Sequence, residues 1–364
     1  MYENERGVSR DYKQAVEWYR KAVDQNNATA QYYLALMYKD GRDEEILPDD
    51  KKAVDLFRKA ADQNYAPAQL YLGWMYEKGR GVKQDHKKAV EWYRKAADQN
   101  NAMAQNNLGN MYRYGLGLDK DCNQGIVWLN KAAKQNIALA QFNLGMMYKV
   151  GHCVAKNNEL AFHWFTQAAE QNDANAQVEL GYIYEKKRNF KQAFDWYSKA
   201  AAQKNFIAEY DIGTMYESGH YPIKKNSKLA VEFYQKAAAQ DYAFAQFQLG
   251  WMYENGKVDD HPNDEQASIW YKKAADQNFA AAQRNLGVMH LYGRVANPDD
   301  NKAFELFSQA AAQNDALAQN NLGFMYEKGR HGTSPNNELA IYWYKKSAQQ
   351  GNQLAKSNLS RLSK

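Results

Sequence analysis

The sequence predicts an all-α protein, a right-handed superhelical solenoid of about ten helix pairs running as a single domain over residues 1–364. Three observations predict it. An Ala–Leu–Gly–Tyr pattern recurs along the whole chain, at spacings from 32 residues (Ala176 to Ala208) to 38 (Ala30 to Ala68). A second pattern of alanines and aromatics alternates with it. Between the two, Asp, Asn and Gly mark helix ends with equal regularity. A fixed repeat of this length is the mark of a stacked helical array rather than of separate globular cores.

The first helix of each pair, helix A, opens at Ala30, Ala68, Ala104, Ala140, Ala176, Ala208, Ala245, Ala282, Ala318 and Ala355. Leu follows four residues later, with Ile212 in one copy, and Tyr usually follows at eight. Offsets zero, four and eight share one helical face, which is therefore the packed one. Gly73, Gly109, Gly145, Gly181, Gly213, Gly250, Gly287 and Gly323 sit beside the Leu. A helical Gly costs about 1 kcal/mol relative to Ala, so eight of them forgo roughly 8 kcal/mol. A recurring close helix contact would offset that cost.

The second helix, B, repeats Ala89, Trp92, Tyr93 and Ala96, with counterparts from Ala15, Trp18 and Tyr19 to Ala340, Trp343 and Tyr344. Large rings beside alanines at offsets of three, four and seven form an interlocking face, so these aromatics read as core. Four residues before the first alanine stands Asp11, Asp49, Asp85, Asp121, Asn157, Asn189, Asn226, Asn263, Asp299 or Asn336. Each can cap helix B. Gly41, Gly79, Gly115, Gly151, Gly219, Gly256, Gly293 and Gly329 end helix A, where a left-handed residue belongs. Short connections then force antiparallel stacking.

Composition agrees. The chain is 45% apolar and 24% charged, well away from a disordered composition. Its net charge of +5, from 47 basic and 42 acidic residues, is interspersed, so nucleic acid is not an expected partner. No stretch nears the roughly 20 apolar residues of a membrane span, so direct membrane insertion is not expected. Cys122 and Cys153, the two cysteines, are too few for a disulfide framework and read as free thiols of a reducing compartment. The cytoplasm is favoured, with periplasm or secretion the alternatives if a signal precedes residue 1.

Ala68 to Tyr76, Gly79 to Val82 and Lys88 to Ala97 resemble the Sel-one-like repeat family, relatives of the tetratricopeptide repeats. The resemblance implies an adaptor that holds protein partners. Four departures stand out. Asn replaces the family's Gly between B and A, as at Asn64, Asn100, Asn136, Asn172, Asn278 and Asn314. The copy between Ala176 and Ala208 has a shortened loop at Lys187–Phe190, where a change of pitch is expected. Residues 353–364 read as a half-repeat cap with Ser360 in place of Gly. Met1 to Val8 parallels Met75 to Val82, so the chain reads as starting mid-repeat, as a fragment of a longer array would.

Offsets two and six of helix A lie opposite its packed face, and here the copies differ. Tyr32, Leu36, Leu70, Trp74, Phe142, Met146, Tyr182, Tyr210, Phe247, Trp251 and Phe324 occupy them, beside polar pairs such as Asn106 and Asn110. This stripe is the expected site for a protein or peptide, since such residues dominate binding hot spots. The competing reading is that neighbouring A helices cover it.

Chemistry is not expected. The sequence has no phosphate loop, no His-Glu-x-x-His, no Gly-x-Ser-x-Gly and no Ser-x-x-Lys, so the expectation is no enzyme, no cofactor and no metal. His152, Cys153, His163 and Cys122 match no ligand spacing and read as surface groups. His290 replaces a Tyr and reads as a substituted core residue. Asn27-Ala28-Thr29 and Asn358-Leu359-Ser360 are sequons that matter only on a secretory route. The expected function is a non-catalytic scaffold or adaptor. The alternative is a stoichiometric inhibitor, immunity or regulatory protein of one enzyme.

Overall fold

A computed structural model describes residues 12–41, 47–220, 222–258, 260–332 and 334–362, and it shows an all-α repeat solenoid of twenty helices. The B helices are α1 (Tyr12–Asp24), α3 (Asp50–Asp62), α5 (His86–Asp98), α7 (Cys122–Lys134), α9 (Asn158–Glu170), α11 (Phe190–Ala202), α13 (Ser227–Ala238), α15 (Asp264–Asp276), α17 (Asp300–Ala312) and α19 (Asn337–Gln349). The A helices are α2 (Ala28–Asp40), α4 (Ala66–Lys78), α6 (Ala102–Tyr114), α8 (Ala138–Val150), α10 (Ala174–Lys186), α12 (Phe206–Ser218), α14 (Ala243–Glu254), α16 (Ala280–Leu291), α18 (Ala316–Lys328) and α20 (Gln353–Leu362). The chain forms two compact units, residues 1–176 and 177–364, with the division inside α10.

Local chemistry sets the helix ends. Asp49, Asp85, Asp121, Asn157, Asn189, Asn226, Asn263, Asp299 and Asn336 each accept a hydrogen bond from a backbone N–H of the first turn of helix B. Asp11 and the Met1–Val8 parallel lie outside the described residues. The eight glycines that follow helix A all have positive φ, as do the six asparagines between B and A.

In most repeats a ring of helix B fills the space that the helix A glycine leaves, and beside Gly109 it is Leu129 that does so. A Cβ on Gly73 would lie 2.7 Å from Tyr93 Cδ1, and one on Gly250 would lie 2.6 Å from Tyr271 Cδ1. Tyr93, Tyr197, Tyr234, Tyr271 and Tyr344 are fully buried beneath these glycines. Their hydroxyls donate to Glu77, Glu185, Glu217, Glu254 and Glu327 at 2.6 to 3.0 Å, which spares each the cost of an unpaired buried polar group. Burial and the adjacent carboxylate hold these phenols well above the usual tyrosine range. The tryptophans of helix B correct the expectation of an aromatic core. Trp18 is 58% exposed, and Trp92, Trp128, Trp196 and Trp270 are half-buried beneath a lysine Nζ three residues on, 3.9 to 4.2 Å from the ring. One turn of helix carries Lys over the indole, so a cation covers the part of the ring that the core leaves open.

A second recurring network consists of amides. Gln31, Gln69, Gln105, Gln141, Gln177, Gln246, Gln283 and Gln319, one residue after the opening alanine of helix A, are all buried. Each accepts from the Gln that ends the following helix B, as Gln99 does to Gln69 at 2.7 Å and Gln135 to Gln105 at 2.8 Å. Gln69 in turn donates to the Ala61 carbonyl of the preceding repeat, linking one repeat to the next. Glu209 replaces Gln in one copy, with Lys204 where the other copies have mostly Asn. Burial raises the Glu209 pKa, against the Gln240 N–H and the charges of Lys236 and Lys204.

Consecutive repeats are also joined at a loop edge, between the first residue of helix B and the residue after the glycine that ends the next helix A. Asp50 pairs with Arg80 at 2.6 Å, Asp264 with Arg294, and Asp300 with Arg330 at 3.3 Å. Phe190 stacks on His220 with ring centroids 4.4 Å apart. At the same edge Cys122 is disulfide-bonded to Cys153, with Cα atoms 5.1 Å apart. This corrects the reading of free thiols: residues 31 apart in sequence meet because stacking sets the loops of successive repeats side by side.

Candidate functional site

The stripe residues fall into two sets. Tyr32, Leu36, Leu70, Trp74, Phe142 and Met146 lie in the first unit, and Tyr182, Tyr210, Phe247, Trp251 and Phe324 in the second. They are less free of the scaffold than the helical wheel suggests. Leu36 is buried at 9% exposure, Tyr182 is exposed at 44%, and the others are half-buried, most of them against the repeat cores and Phe142 against Phe165. The reason is lateral packing of A helices, in which offset two of one helix meets offset three of the next. Tyr32 lies 5.8 Å from Tyr71 between ring centroids, Asn143 donates to Asn106 at 2.9 Å, and Asn358 donates to Asn320 at 3.1 Å. Asn106 and Asn320 are consequently buried.

Cations cover part of what remains open. Trp74 lies under Arg80 at 5.4 Å and Lys39 at 5.7 Å, Trp251 under Lys257 at 3.9 Å, and Tyr182 under Lys186 at 5.1 Å. Offset six also carries an unsatisfied group: Asn110 Oδ1 is buried without a hydrogen-bond partner. Such an atom favours an incoming donor.

Between α14 and α16 the stripe opens into a cavity of about 690 Å³, lined by Phe247, Gln248, Trp251, Glu254, Asn255, Arg284, Asn285, Val288 and Arg294. Arg294 is held by Asp264 and by Glu254 at 2.6 Å, and the Asp264 hydrogen bonds raise its pKa still further. Arg284 pairs with Asp315 at 3.2 Å. The cavity therefore presents two aromatic rings, three side-chain amides and guanidinium groups fixed by carboxylates. It can recognise a surface by shape, apolar contact and hydrogen bonding, and its lining holds no paired nucleophile and base. Sequence reasoning missed the polar half of this lining, and it missed the buried Gln network although Gln recurs at offset one.

The remaining candidates do not converge. His152 accepts from Arg113 Nε at 3.2 Å, His163 lies edge-on to Trp164, and burial together with Arg113 lowers the His152 pKa. Among the described residues no group of three His, Cys, Asp or Glu is placed to hold a metal, and no helix is long and apolar enough to cross a membrane. His290 is half-buried rather than core. It borders a cavity of about 510 Å³ with Leu286 and Leu306, at a place where other copies carry Tyr and Trp.

Comparison with known proteins places these features among relatives. The Sel1 repeat model matches ten spans: residues 1–27, 28–65, 66–101, 102–137, 138–173, 174–205, 207–242, 243–279, 280–315 and 316–352. A protective antigen of uropathogenic Escherichia coli displaying an SLR fold is 34% identical, with a TM-score of 0.77, over 100% of this chain and 78% of its own. A Sel1 repeat protein from Oxalobacter formigenes is 28% identical over 95% of this chain and 89% of its own, with a TM-score of 0.43. An immunity protein from Pseudomonas aeruginosa is 25% identical over 62% of this chain and 82% of its own, with a TM-score of 0.40. No curated protein matches.

Proposed function

Because the chain belongs to the Sel1 repeat family, whose repeats typically mediate protein–protein interaction, we propose that it is a non-catalytic scaffold that binds a protein or peptide along its helix A stripe. The observation that carries this reading is the cavity between α14 and α16. There Phe247 and Trp251 border a space large enough for several side chains, next to amides that can pair with a peptide backbone. Half-buried rings suit the role, because a ring already fixed by its own repeat loses little freedom when a partner covers its open face.

The test changes Trp74, Phe142 and Trp251 together to Ala and measures affinity for the partners recovered with the unaltered chain. A loss of at least about tenfold is expected, in the range of truncated hot-spot aromatics. Unchanged affinity with intact helicity overturns the proposal. Several partners sharing a short motif would mark an adaptor. One stoichiometric partner whose activity is suppressed would mark an inhibitor.

A further inference from the structure

The loop edge that joins consecutive repeats is closed by a different chemistry from copy to copy. Three junctions use an Arg–carboxylate pair, Asp50 with Arg80, Asp264 with Arg294 and Asp300 with Arg330, and a fourth stacks Phe190 on His220. Cys122 stands at the first residue of its helix B, where Asp50 stands in another copy. Cys153 stands two residues after the Gly151 that ends α8, where Gly81 and Gly117 stand in theirs. The covalent bond thus starts from the same helix B position as the ion pairs and ends one residue beyond the place of their arginines. We propose that Cys122 and Cys153 form a redox latch between two consecutive repeats of the first unit, which closes this junction when oxidised and frees the loop of residues 151–157 when reduced.

Three observations support it. His152, at the position of Arg80, is turned to Arg113 and stacked on Tyr114, so it does not take the part that Arg80 plays at its own junction. Cys153 sits at φ +68°, close to Gly81 at +67° and Gly117 at +73°, a conformation that an L residue rarely keeps unless its surroundings impose it. The bond is one such imposition. Both cysteines are half-buried rather than sealed, so a small thiol can reach them. The latch adjoins α8, which carries Phe142 and Met146, but the inference stands whether or not those residues bind a partner.

Opening is thiol–disulfide exchange with an external dithiol. Its thiolate attacks one sulfur of the bridge, the S–S bond breaks, and the other sulfur leaves as a thiolate that takes up a proton. The second thiol of the reductant then attacks the mixed disulfide and releases the remaining cysteine. The dithiol ends as a disulfide, and two electrons and two protons have passed to Cys122 and Cys153. A disulfide oxidant reverses each step.

The experiment alkylates the folded, unreduced chain, maps its cysteine peptides, and follows amide hydrogen exchange and thermal unfolding with and without dithiothreitol. The expected result is a linked pair with no free thiol. Reductant should accelerate exchange in residues 151–157 at least about tenfold and lower the midpoint by about 5–10 °C. The double variant Cys122→Ser, Cys153→Gly, which supplies the left-handed residue used by other copies, should fold and show no response to reductant. Two free thiols in the folded air-oxidised chain, unchanged exchange on reduction, or a variant that still responds would each overturn the latch.

Discussion

Replacing Gly250 by Ala sets two effects of similar size against each other. In an isolated helix the change is worth about 1 kcal/mol in favour of Ala. Here the new Cβ would lie 2.6, 2.7 and 3.0 Å from Cδ1, Cε1 and Cγ of Tyr271, where carbon contacts normally begin near 3.5 Å. The ring cannot easily withdraw. It is fully buried, and its hydroxyl is held by Glu254 at 2.6 Å, which is itself held by Arg294. Overpacking of this kind costs about 1–3 kcal/mol, so with a mid-range cost of about 2 kcal/mol the net expectation is a loss of about 1 kcal/mol despite the better helix former. Urea unfolding followed by circular dichroism at 222 nm measures it. The first copy supplies the opposite sign, since Ala35 already occupies this place and is fully buried. Ala35→Gly should therefore destabilise, through lost propensity and a methyl-sized gap. In a Tyr271→Phe background, which cuts the tether, the cost of Gly250→Ala should shrink. If Gly250→Ala is as stable as the parent or gains about 1 kcal/mol, the close-contact explanation of the helix A glycines is wrong.

Asp211 gives a prediction with a defined sign in pH. Burial, with Glu185 nearby and the Tyr197 hydrogen bond opposing, pushes its carboxyl up to about 7 from an ordinary value near 3.8. A folded-state pKa above the unfolded one favours folding fully below about pH 4, and that contribution is lost as pH rises through 7. Asp211→Asn, which restores the residue found at Asn107 and Asn285, should flatten the fall in thermal midpoint between pH 5 and 8; an unchanged slope sinks the assignment. The cavity beside His290 should accept the indole that other copies place at this register. Leu306→Trp with Gln309→Lys is expected to raise stability by about 1 kcal/mol through added apolar burial and a restored cation–ring contact, and a lowered unfolding midpoint would show that the space is not indole-shaped.

How much was legible in the sequence follows from how local each feature is. The helix boundaries were, because an Asp49 or Asn336 cap bonds a backbone N–H three residues away and a left-handed Gly79 or Asn64 acts on its own peptide. So was the existence of a close contact at the helix A glycines, since the same costly residue recurred. Which side chain makes that contact was not legible. Tyr93 and Trp92 are neighbours of similar size, and only the crossing of helix A over helix B decides that the tyrosine enters the core while the tryptophan stays at the surface beneath Lys95.

The same holds for the stripe. A helical wheel treats one helix in isolation, so it left offsets two and six open, whereas the lateral approach of consecutive A helices half-covers them and buries Leu36. The sequence by itself determined the repeat, the helix ends and the positions not dictated by a helix's own packed face, because those depend on neighbours along the chain. The tertiary structure decided the Cys122–Cys153 bond, the tyrosine–glutamate pairs and the glutamine network. Their side-chain pairs join residues 12 to 32 apart, whose distance is set by how one helix stacks on the next and not by the chain that connects them.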